Sequence, residues 1–321
     1  MHRYNSYSDF FRLTYGSRLQ KLSIDAGFSC PNRDSNDRTR GGCTFCNNRS
    51  FNPSYCTPAK SITQQLDEGI EFHQRRYRKA GYYLAYFQAY SNTFAPLDIL
   101  RSRYDEALAH PLVRGLIVAT RPDCIDNEKL DLLAEKARDH YVAVEYGIES
   151  CYDATLRTVN RGHDFAATRR AITSTAQRGL HCGGHLILGL PGESRQMLLN
   201  EVDIINSLPL NSLKFHQLQI LHGSAMADEI AANPEASKRY HAFALEEYVS
   251  LVCDMLERLR PDIMMERFAG EVPPRFQALP ERSWRRSDGR LIRNEEIPVL
   301  IDKELERRDT RQGILFDSGK Q

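Results

Sequence analysis

Apolar runs alternate along the chain with segments in which apolar side chains recur every three or four positions. Short runs rich in β-branched and aromatic residues predict strands, and the longer periodic segments predict helices. Six strands are predicted, at residues 22–25, 82–88, 116–119, 141–148, 185–189 and 213–221. Helices are predicted between them, at 61–80, 96–110, 126–139, 165–178 and 194–207. This alternation is typical of parallel strands joined by right-handed crossovers, in a full or partial β/α barrel or in an open doubly wound sheet.

The pattern changes after about Asn233. A long helix is predicted at 241–260 and a seventh strand, at the sheet edge, at 263–268, before a tail rich in proline and arginine. We therefore expect a core barrel with a cysteine loop at residues 1–235, and a C-terminal extension at 236–321 that covers the barrel opening or recruits substrate. Residues 309–321 are expected to be loosely held.

The composition is that of an ordinary globular protein, with 41% apolar and 26% charged residues among 321. The sequence contains no run of about 18 uncharged apolar residues and no apolar leader, so neither a membrane span nor an export signal is predicted. Eight cysteines without such a signal indicate a reducing, cytoplasmic location. The net charge of +1 argues against non-specific nucleic-acid binding by the whole surface.

Three cysteines near the start of the chain carry the strongest chemical signal. Cys30, Cys43 and Cys46 form a Cys-x12-Cys-x2-Cys pattern, with Phe45 directly before the last cysteine. Iron–sulfur clusters are usually held by four thiolates, so three suggest a cluster with one iron left open for a substrate or cofactor. The alternative is a structural zinc site with the nearby Cys56 as fourth ligand, since a Cys-x2-Cys pair also fits zinc.

Two segments are locally basic. One spans residues 75–79, at the end of a predicted helix, and the other holds six arginines between Arg275 and Arg293, around Trp284. Basic residues interleaved with aromatic ones suit contacts with an RNA backbone and stacking on its bases. The alternative is an ordinary solvated surface, which we favour for the first segment and weigh evenly for the second.

The cysteine pattern and the strand–helix alternation together resemble the radical S-adenosylmethionine (SAM) superfamily. The similarity is carried by Asp-Ala-Gly-Phe-Ser-Cys-Pro-Asn-Arg-Asp at 25–34 and Gly-Gly-Cys-Thr-Phe-Cys at 41–46, and it covers about residues 15–290. The commonest family spacing is Cys-x3-Cys-x2-Cys; the longer first gap is similar to the elongator-catalytic-subunit branch and to the YhcC/YtqA-type subfamily. The resemblance implies a partial parallel (β/α)6 TIM-type barrel. It also implies a [4Fe-4S] cluster on the three cysteines, with SAM bound to the open iron and cleaved to a 5′-deoxyadenosyl radical.

The resemblance further implies which side chains contact SAM. Polar residues after the second strand would face the methionine amino group, an arginine would face the methionine carboxylate, and a carboxylate would face the ribose. The matching residues are, in this order, Ser91 and Asn92, Arg161, and Glu149, with Ile187 and Phe45 beside the adenine and His185 beside the ribose. Each also has an ordinary structural interpretation, as part of a turn, a helix-end arginine or a core side chain.

The substrate class implied by the resemblance is a modified wobble uridine in tRNA, with its carboxymethylaminomethyl side chain as the group processed. A reductant protein such as flavodoxin or ferredoxin is the expected partner. The unusually polar sixth strand, with Lys214, His216 and residues 217–219, is expected to contact the substrate. Two alternatives stay open: radical chemistry on a small metabolite, and a non-catalytic, zinc-stabilised RNA-binding module.

Overall fold

Seven parallel strands form a single sheet. The computed structural model describes residues 2–33, 41–76 and 81–317. The strands follow one another in the sheet in the order of the chain, and every neighbouring pair is parallel. They are β1 Leu19–Ile24, β2 Tyr82–Phe87, β3 Val113–Thr120, β4 Tyr141–Glu149, β5 His181–Leu188, β6 Ser212–Gln217 and β7 Met264–Arg267.

Helices alternate with the strands along the chain, and most of them pack on the outer face of the sheet. They are α1 Tyr7–Tyr15, α2 Ile62–Arg76, α3 Leu97–Leu108, α4 Asn127–Lys136, α5 Asp153–Thr158, α6 Phe165–Ala176, α7 Arg195–Asn206, α8 Ala225–Ala232, α9 Leu245–Arg258 and α10 Ile297–Arg307. Asp126, Asp164 and Ser194 begin α4, α6 and α7, because each side chain accepts a hydrogen bond from the N–H three residues later. None of the helices in these ranges is long and apolar enough to span a bilayer.

The predicted partial barrel with an added seventh strand is confirmed, with some element ends shifted. β6 ends at Gln217 rather than at residue 221, because the backbone at Ile220 and His222 hydrogen-bonds with residues 276–278 instead of with β5. α9 begins at Leu245 rather than at residue 241, since the Phe243 carbonyl accepts the indole N–H of Trp284. Residues 77–80, the predicted end of the first crossover helix, lie outside the described ranges.

The end of the chain is held more firmly than the sequence indicated. Gln312 is buried, and its side-chain amide donates to the carbonyls of Arg260 and Ile263 at 2.9 and 2.8 Å. The N–H of Leu315 donates to the Glu257 carbonyl at 2.8 Å. The expected loose end is therefore wrong for residues 309–317, and residues 318–321 lie outside the described ranges. A single side chain that binds main-chain carbonyls leaves no periodic signal in a sequence, and neither α1 nor α10 was predicted.

The inner face of the sheet is layered from apolar to polar. The lowest layer consists of inward-facing strand residues closed off by α1: Leu19, Leu84, Ile117, Ala143 and Met264 against Tyr7 and Phe11. Because successive side chains of a strand point to opposite faces, the inward positions two residues further along lie one level higher. On β1, β4, β6 and β7 these positions hold Lys21, Glu145, Lys214 and Glu266.

These four charged residues form a closed network of ion pairs. Lys21 Nζ lies 2.8 Å from Glu145 and 2.5 Å from Glu266, and Lys214 Nζ lies 2.6 and 2.8 Å from the same two carboxylates. Burial alone would raise the pKa of Glu145, but the two lysines outweigh it and hold this pKa well below its ordinary value. In a flat sheet β1 and β7 would lie about 29 Å apart. The Lys21–Glu266 contact therefore requires a sheet curled into an open barrel.

We predict that replacing Lys21 with methionine destabilises the protein. The substitution keeps much of the side-chain volume but leaves Glu145 and Glu266 with one shared lysine, so the free energy of unfolding should fall by about 3–5 kcal/mol. Urea unfolding of the anaerobic protein would measure the change. The matched control is Arg101→Met, which removes the exposed Arg101–Glu135 pair and should change stability little. Equal effects of the two substitutions would contradict a closing role for Lys21.

Candidate cofactor site

A cavity of about 220 Å³ opens at the carboxyl ends of the strands. Cys30, Cys43 and Cys46 line one wall, and residues at the inner ends of β2 to β7 line the rest. In parallel α/β barrels this is the end at which loops and strand termini bring functional side chains together. The fold thus unites the cysteine loop with the polar strand ends.

The cysteine loop is fixed by its own backbone and by the end of α5. The N–H of Cys46 donates to the Cys43 carbonyl at 3.0 Å, and the N–H of Thr44 donates to the Val159 carbonyl at 3.0 Å. Arg33 reaches across the loop, where its guanidinium donates to the Cys46 carbonyl at 2.8 Å. Residues 34–40, between the first and second cysteines, lie outside the described ranges. The described flanks of the loop are therefore tied to each other and to the barrel.

Nitrogen donors surround two of the three sulfurs. Asn32 Nδ2 and Arg161 Nη1 each lie 3.5 Å from Cys43 Sγ, and Asn48 Nδ2 lies 3.7 Å from Cys46 Sγ. Burial, with a further contribution from Cys43, raises the pKa of Cys46 to about 11, whereas the positive charges of Arg33 and Arg161 act in the opposite direction. Hydrogen-bond donors and positive charge favour the thiolate, which is the form that binds metal. The surroundings of these sulfurs therefore fit thiolate ligands of an iron–sulfur cluster.

Cys56, the fourth ligand of the alternative zinc site, is not part of the cavity wall. Its thiol is buried near Asp25, and burial followed by that carboxylate raises its pKa to about 12. In the described part of the chain, no three His, Cys, Asp or Glu side chains are grouped so as to hold a metal ion. The three cysteines of the loop line the cavity without Cys56, so a zinc ion there would lack the predicted fourth ligand, whereas three thiolates fit an iron–sulfur cluster with one open iron.

Arg161 links the cysteine loop to the end of β4. Its Nη2 donates to the Gly147 carbonyl at 2.6 Å and lies 3.3 Å from Glu149 Oε1. Its buried Nε has no hydrogen-bond partner among the described residues. Burial opposes the charge, but Cys43 and Glu149 outweigh it and raise the pKa of Arg161 above its ordinary value. A buried guanidinium with an unused N–H is suited to bind a ligand carboxylate.

The end of β4 is shaped to place Glu149 beside Arg161. Glu149 has a φ of +66°, a left-handed conformation that is strained for any residue with a side chain. The pairing with β5 shifts by one residue between Gly147 and Glu149. A Cβ atom at Gly147 would lie 2.4 Å from Glu149 Oε1 and 2.6 Å from Arg161 Nη2, so this ion pair requires glycine at position 147.

Phe45, Ile187 and His185, three more of the predicted SAM contacts, line the cavity. Phe45 and Ile187 pack against one apolar cluster that also contains Val159, and together they present an apolar surface suited to a flat ring. His185 Nε2 lies 3.1 Å from Glu145 Oε2. Burial lowers the pKa of His185, so its imidazole is neutral and combines a structural hydrogen bond with a face on the cavity.

Ser91 and Asn92 are not brought to the cavity wall. Both are fully buried behind it, where Ser91 Oγ lies 2.9 Å from Thr120 Oγ1 and Asn92 Nδ2 donates to two main-chain carbonyls at 3.0 and 2.8 Å. They join the ends of β2 and β3. Their neighbours Gln88 and Tyr90 line the cavity instead. The sequence indicated the correct loop, but which of its side chains turn inward depends on turn geometry that no spacing reveals.

The cavity wall includes two further residues that the sequence did not single out. Tyr86 of β2 and Arg267 of β7 line it together with Lys214 and His216. Tyr86 could have been found from the inward alternation along β2. Arg267 could not, because it directly follows the inward Glu266, and strict alternation would place it on the outer face. A shift in the pairing of β6 with β7 accompanies its turn toward the cavity.

In the arginine-rich segment around Trp284, several side chains have interaction partners within the protein. Trp284 is half-buried, with its ring centroid 4.8 Å from that of Tyr248. Three of the arginines form ion pairs: Arg286 with Glu296, Arg290 with Asp288 and Arg293 with Glu271. This packing favours the ordinary surface interpretation over an exposed stacking platform. Of the other basic segment, residues 77–79 lie outside the described ranges.

Two family models match the chain. Residues 36–205 match that of the Radical SAM superfamily, and residues 210–295 match that of the Radical_SAM C-terminal domain. The chain is 40% identical to Protein YhcC of Escherichia coli (strain K12) over 256 residues, which is 79% of each chain. It is 32% identical to YtqA of Bacillus subtilis (strain 168) over 315 residues, which is 98% of this chain and 93% of YtqA.

Among solved structures, the fold is similar to that of the archaeal Elp3 of Methanocaldococcus infernus with an N-terminal deletion, with a TM-score of 0.61 at 17% identity. The match covers 78% of this chain and 60% of that Elp3 chain, which is less than two thirds of its length. At this identity the likeness concerns the fold alone. A shorter stretch of 95 residues is 30% identical to the tRNA uridine(34) acetyltransferase of M. infernus; it is 30% of this chain and 17% of that protein.

Two carboxyl groups behind the site form hydrogen bonds with the residues that follow β4. Glu193, in the loop after β5, accepts a hydrogen bond from Ser150 Oγ at 2.5 Å, and Glu201 of α7 accepts one from the Cys151 N–H at 2.6 Å. Ser150 and Cys151 directly follow Glu149. The second oxygen of each carboxyl is buried without a hydrogen-bond partner in the described ranges. Burial raises the pKa of both groups, and the proximity of Glu193 raises that of Glu201 further.

We predict that Glu201→Gln stabilises the protein most at alkaline pH. Because the folded-state pKa of Glu201 is raised, the wild-type protein should lose stability as the pH rises from about 4.3 through that pKa. Glutamine keeps an oxygen for the Cys151 N–H but cannot ionise, so the variant should gain about 1–3 kcal/mol above neutral pH and much less near pH ~5. Urea unfolding across this range would measure the difference. The control is Glu128→Gln, at an exposed helix position. If the stability gained by Glu201→Gln did not depend on pH, the raised pKa assigned to Glu201 would be contradicted.

Proposed function

Because the chain belongs to the radical SAM superfamily, whose members use a [4Fe-4S] cluster and SAM, we propose that Cys30, Cys43 and Cys46 hold the cluster and that SAM binds beside it in the cavity. When bound, these cofactors supply one-electron cleavage of the SAM sulfonium, which gives methionine and a 5′-deoxyadenosyl radical that removes a hydrogen atom from a substrate. The observation that carries the proposal is that three thiols and the Arg161 guanidinium share one cavity at the strand ends.

Different residues of the cavity can bind different parts of the SAM molecule. Arg161 would bind the methionine carboxylate, because its Nε is buried, unused and already directed by contacts with Gly147 and Glu149. Glu149 would accept hydrogen bonds from ribose hydroxyls, since its left-handed backbone turns it into the cavity. Phe45 and Ile187 would cover the adenine and keep water from that side of the site.

We infer that the substrate is the side chain of the wobble uridine in tRNA. Two observations support this: the motif similarity to the elongator-type branch, and the local identity to a protein named as a tRNA uridine(34) acetyltransferase. The cavity also has an opening at the strand ends and polar lining residues from β6 and β7, which suit entry of a polar nucleoside side chain. Radical SAM enzymes need a reductant, and a flavodoxin or ferredoxin is the donor class that we propose.

We predict that Cys30→Ala, Cys43→Ala and Cys46→Ala each lose the cluster and the formation of 5′-deoxyadenosine. Two thiolates cannot replace three as ligands, so iron and sulfide content after anaerobic reconstitution should fall severalfold and SAM cleavage should fall to background. Iron analysis and chromatography of the reduced reaction would measure both. Cys253→Ala, in the buried core of α9, is the matched control and should keep cluster and cleavage. Retention of both by any of the three loop variants would overturn the ligand assignment.

The substrate can be tested in cells through tRNA. In a strain lacking the gene, we expect carboxymethylaminomethyl uridine to accumulate at the wobble position, because the step that consumes it is missing. Mass spectrometry of digested tRNA would compare the deletion strain, its parent, and the deletion strain carrying either the wild-type gene or Cys30→Ala. Only the wild-type gene should restore the parental profile. An unchanged profile, with SAM cleavage intact in the purified protein, would redirect the search to a small metabolite.

A further inference from the structure

An unpaired arginine lines the wall of the cofactor cavity at the end of β7. Arg267 ends β7 and lines the cavity beside His216 of β6. It is exposed, and its guanidinium makes no ion pair or hydrogen bond within residues 2–33, 41–76 and 81–317. Other arginines near the site are engaged: Arg121 pairs with Asp123 at 2.7 Å, and Arg161 pairs with Glu149 at 3.3 Å.

The charges around Arg267 do not neutralise it. Lys21 and Lys214 each contact both Glu145 and Glu266, so these four charges balance one another. The neighbouring imidazoles add no positive charge, because burial and the nearby cations keep the pKa of His216 well below its ordinary value. This wall therefore carries one surplus positive charge, on Arg267, together with neutral imidazole groups that can donate hydrogen bonds.

The backbone holds Arg267 and His216 side by side. Gln217 Oε1 accepts the N–H of Gly270 at 2.9 Å, and Gln217 Nε2 donates to the Gly270 carbonyl at 2.9 Å. This two-way contact fixes the chain after β7 against the end of β6. A Cβ atom at Gly270 would lie 2.9 Å from His216 Nδ1, so the close packing of the two segments depends on this glycine. The segment that carries Arg267 is therefore fixed against the end of β6, beside His216.

We propose that Arg267 and His216 form a subsite for a carboxylate of the substrate, at the ends of β6 and β7. The inference rests on the proposed function: the carboxymethylaminomethyl group ends in a carboxylate. A carboxylate held by Arg267 and His216 would lie in the same cavity as the three cysteines and the residues proposed to bind SAM. Arg267 is then the residue that distinguishes a side chain ending in a carboxylate from one ending in an uncharged amide.

The charge of the wall favours a carboxylate over a doubly charged phosphate monoester, whereas an RNA phosphodiester, which carries a single charge, is distinguished by the binding test. A guanidinium presents two parallel N–H donors that match the two oxygens of a carboxylate, and a neutral imidazole N–H can add a third hydrogen bond. One surplus positive charge balances one negative charge. A doubly charged phosphate would leave an uncompensated charge in a partly closed cavity, which is unfavourable.

The test compares two anticodon stem-loop RNAs that differ in one group. One carries carboxymethylaminomethyl uridine and the other carries its carboxamide, and both are bound to anaerobic holoenzyme with SAM while fluorescence anisotropy is followed. The wild-type protein should bind the acid about 10-fold to 100-fold more tightly than the amide. Arg267→Gln should reduce this ratio to about one, and Arg267→Lys should retain part of it because it keeps the charge but not the planar fork. Arg101→Gln, on the outer helix α3, should retain the full ratio.

Two results would overturn the proposal. One is equal affinity of the wild-type protein for the acid and the amide. The other is equal weakening of both RNAs by Arg267→Gln, which would assign the guanidinium to an RNA phosphate instead. Product analysis separates this from the proposed function: turnover of the acid without binding discrimination refutes only the subsite. If the wild-type protein cleaves SAM but converts neither RNA, the proposed substrate of the enzyme is refuted, whatever the binding ratio.

Discussion

The four-charge network of Lys21, Glu145, Lys214 and Glu266 holds the open sheet in its curled form. In a closed barrel the first and last strands share backbone hydrogen bonds, whereas here β1 and β7 are the two edges of the sheet. Side-chain ion pairs across the interior replace that missing ladder. Buried ion pairs add little net stability, because desolvation offsets most of their attraction. Their contribution here is geometric, since only a curled sheet lets each lysine reach carboxylates on strands that are distant in the sheet order.

The same network is the floor of the cofactor cavity. Below it, α1 and the apolar layer around Tyr7 and Leu84 exclude water from the amino ends of the strands. Above it, the inward positions of the strands carry the groups proposed to bind SAM and substrate. Because its positive and negative charges are equal in number, the floor adds little net field to the cavity. The surplus charge that faces the cavity is therefore that of Arg267, since Arg161 is paired with Glu149.

Much of the fold, and less of the site, could be predicted from the sequence. The strand–helix alternation and the cysteine spacing are local patterns, and both led to the correct architecture and cofactor class. Ser91 and Asn92 show the limit, because a polar strand end identifies a loop but not the direction of its side chains. Arg267 shows a second limit, because the direction of its side chain depends on a shift in the pairing of two strands. Gln312 was missed because its partners are main-chain carbonyls distant in sequence.

The seventh strand connects closure of the sheet with the choice of substrate. Glu266 and Arg267 are consecutive, yet the first pairs with lysines of the floor and the second lines the cavity above it. A regular strand would direct only one of them inward. The irregular pairing of β6 with β7 permits both, and Gln217 then fixes that geometry through Gly270. Although it lies in the C-terminal part of the chain, this segment does more than cover the barrel opening. It adds the last strand of the sheet and contributes the residues at which substrate would be recognised.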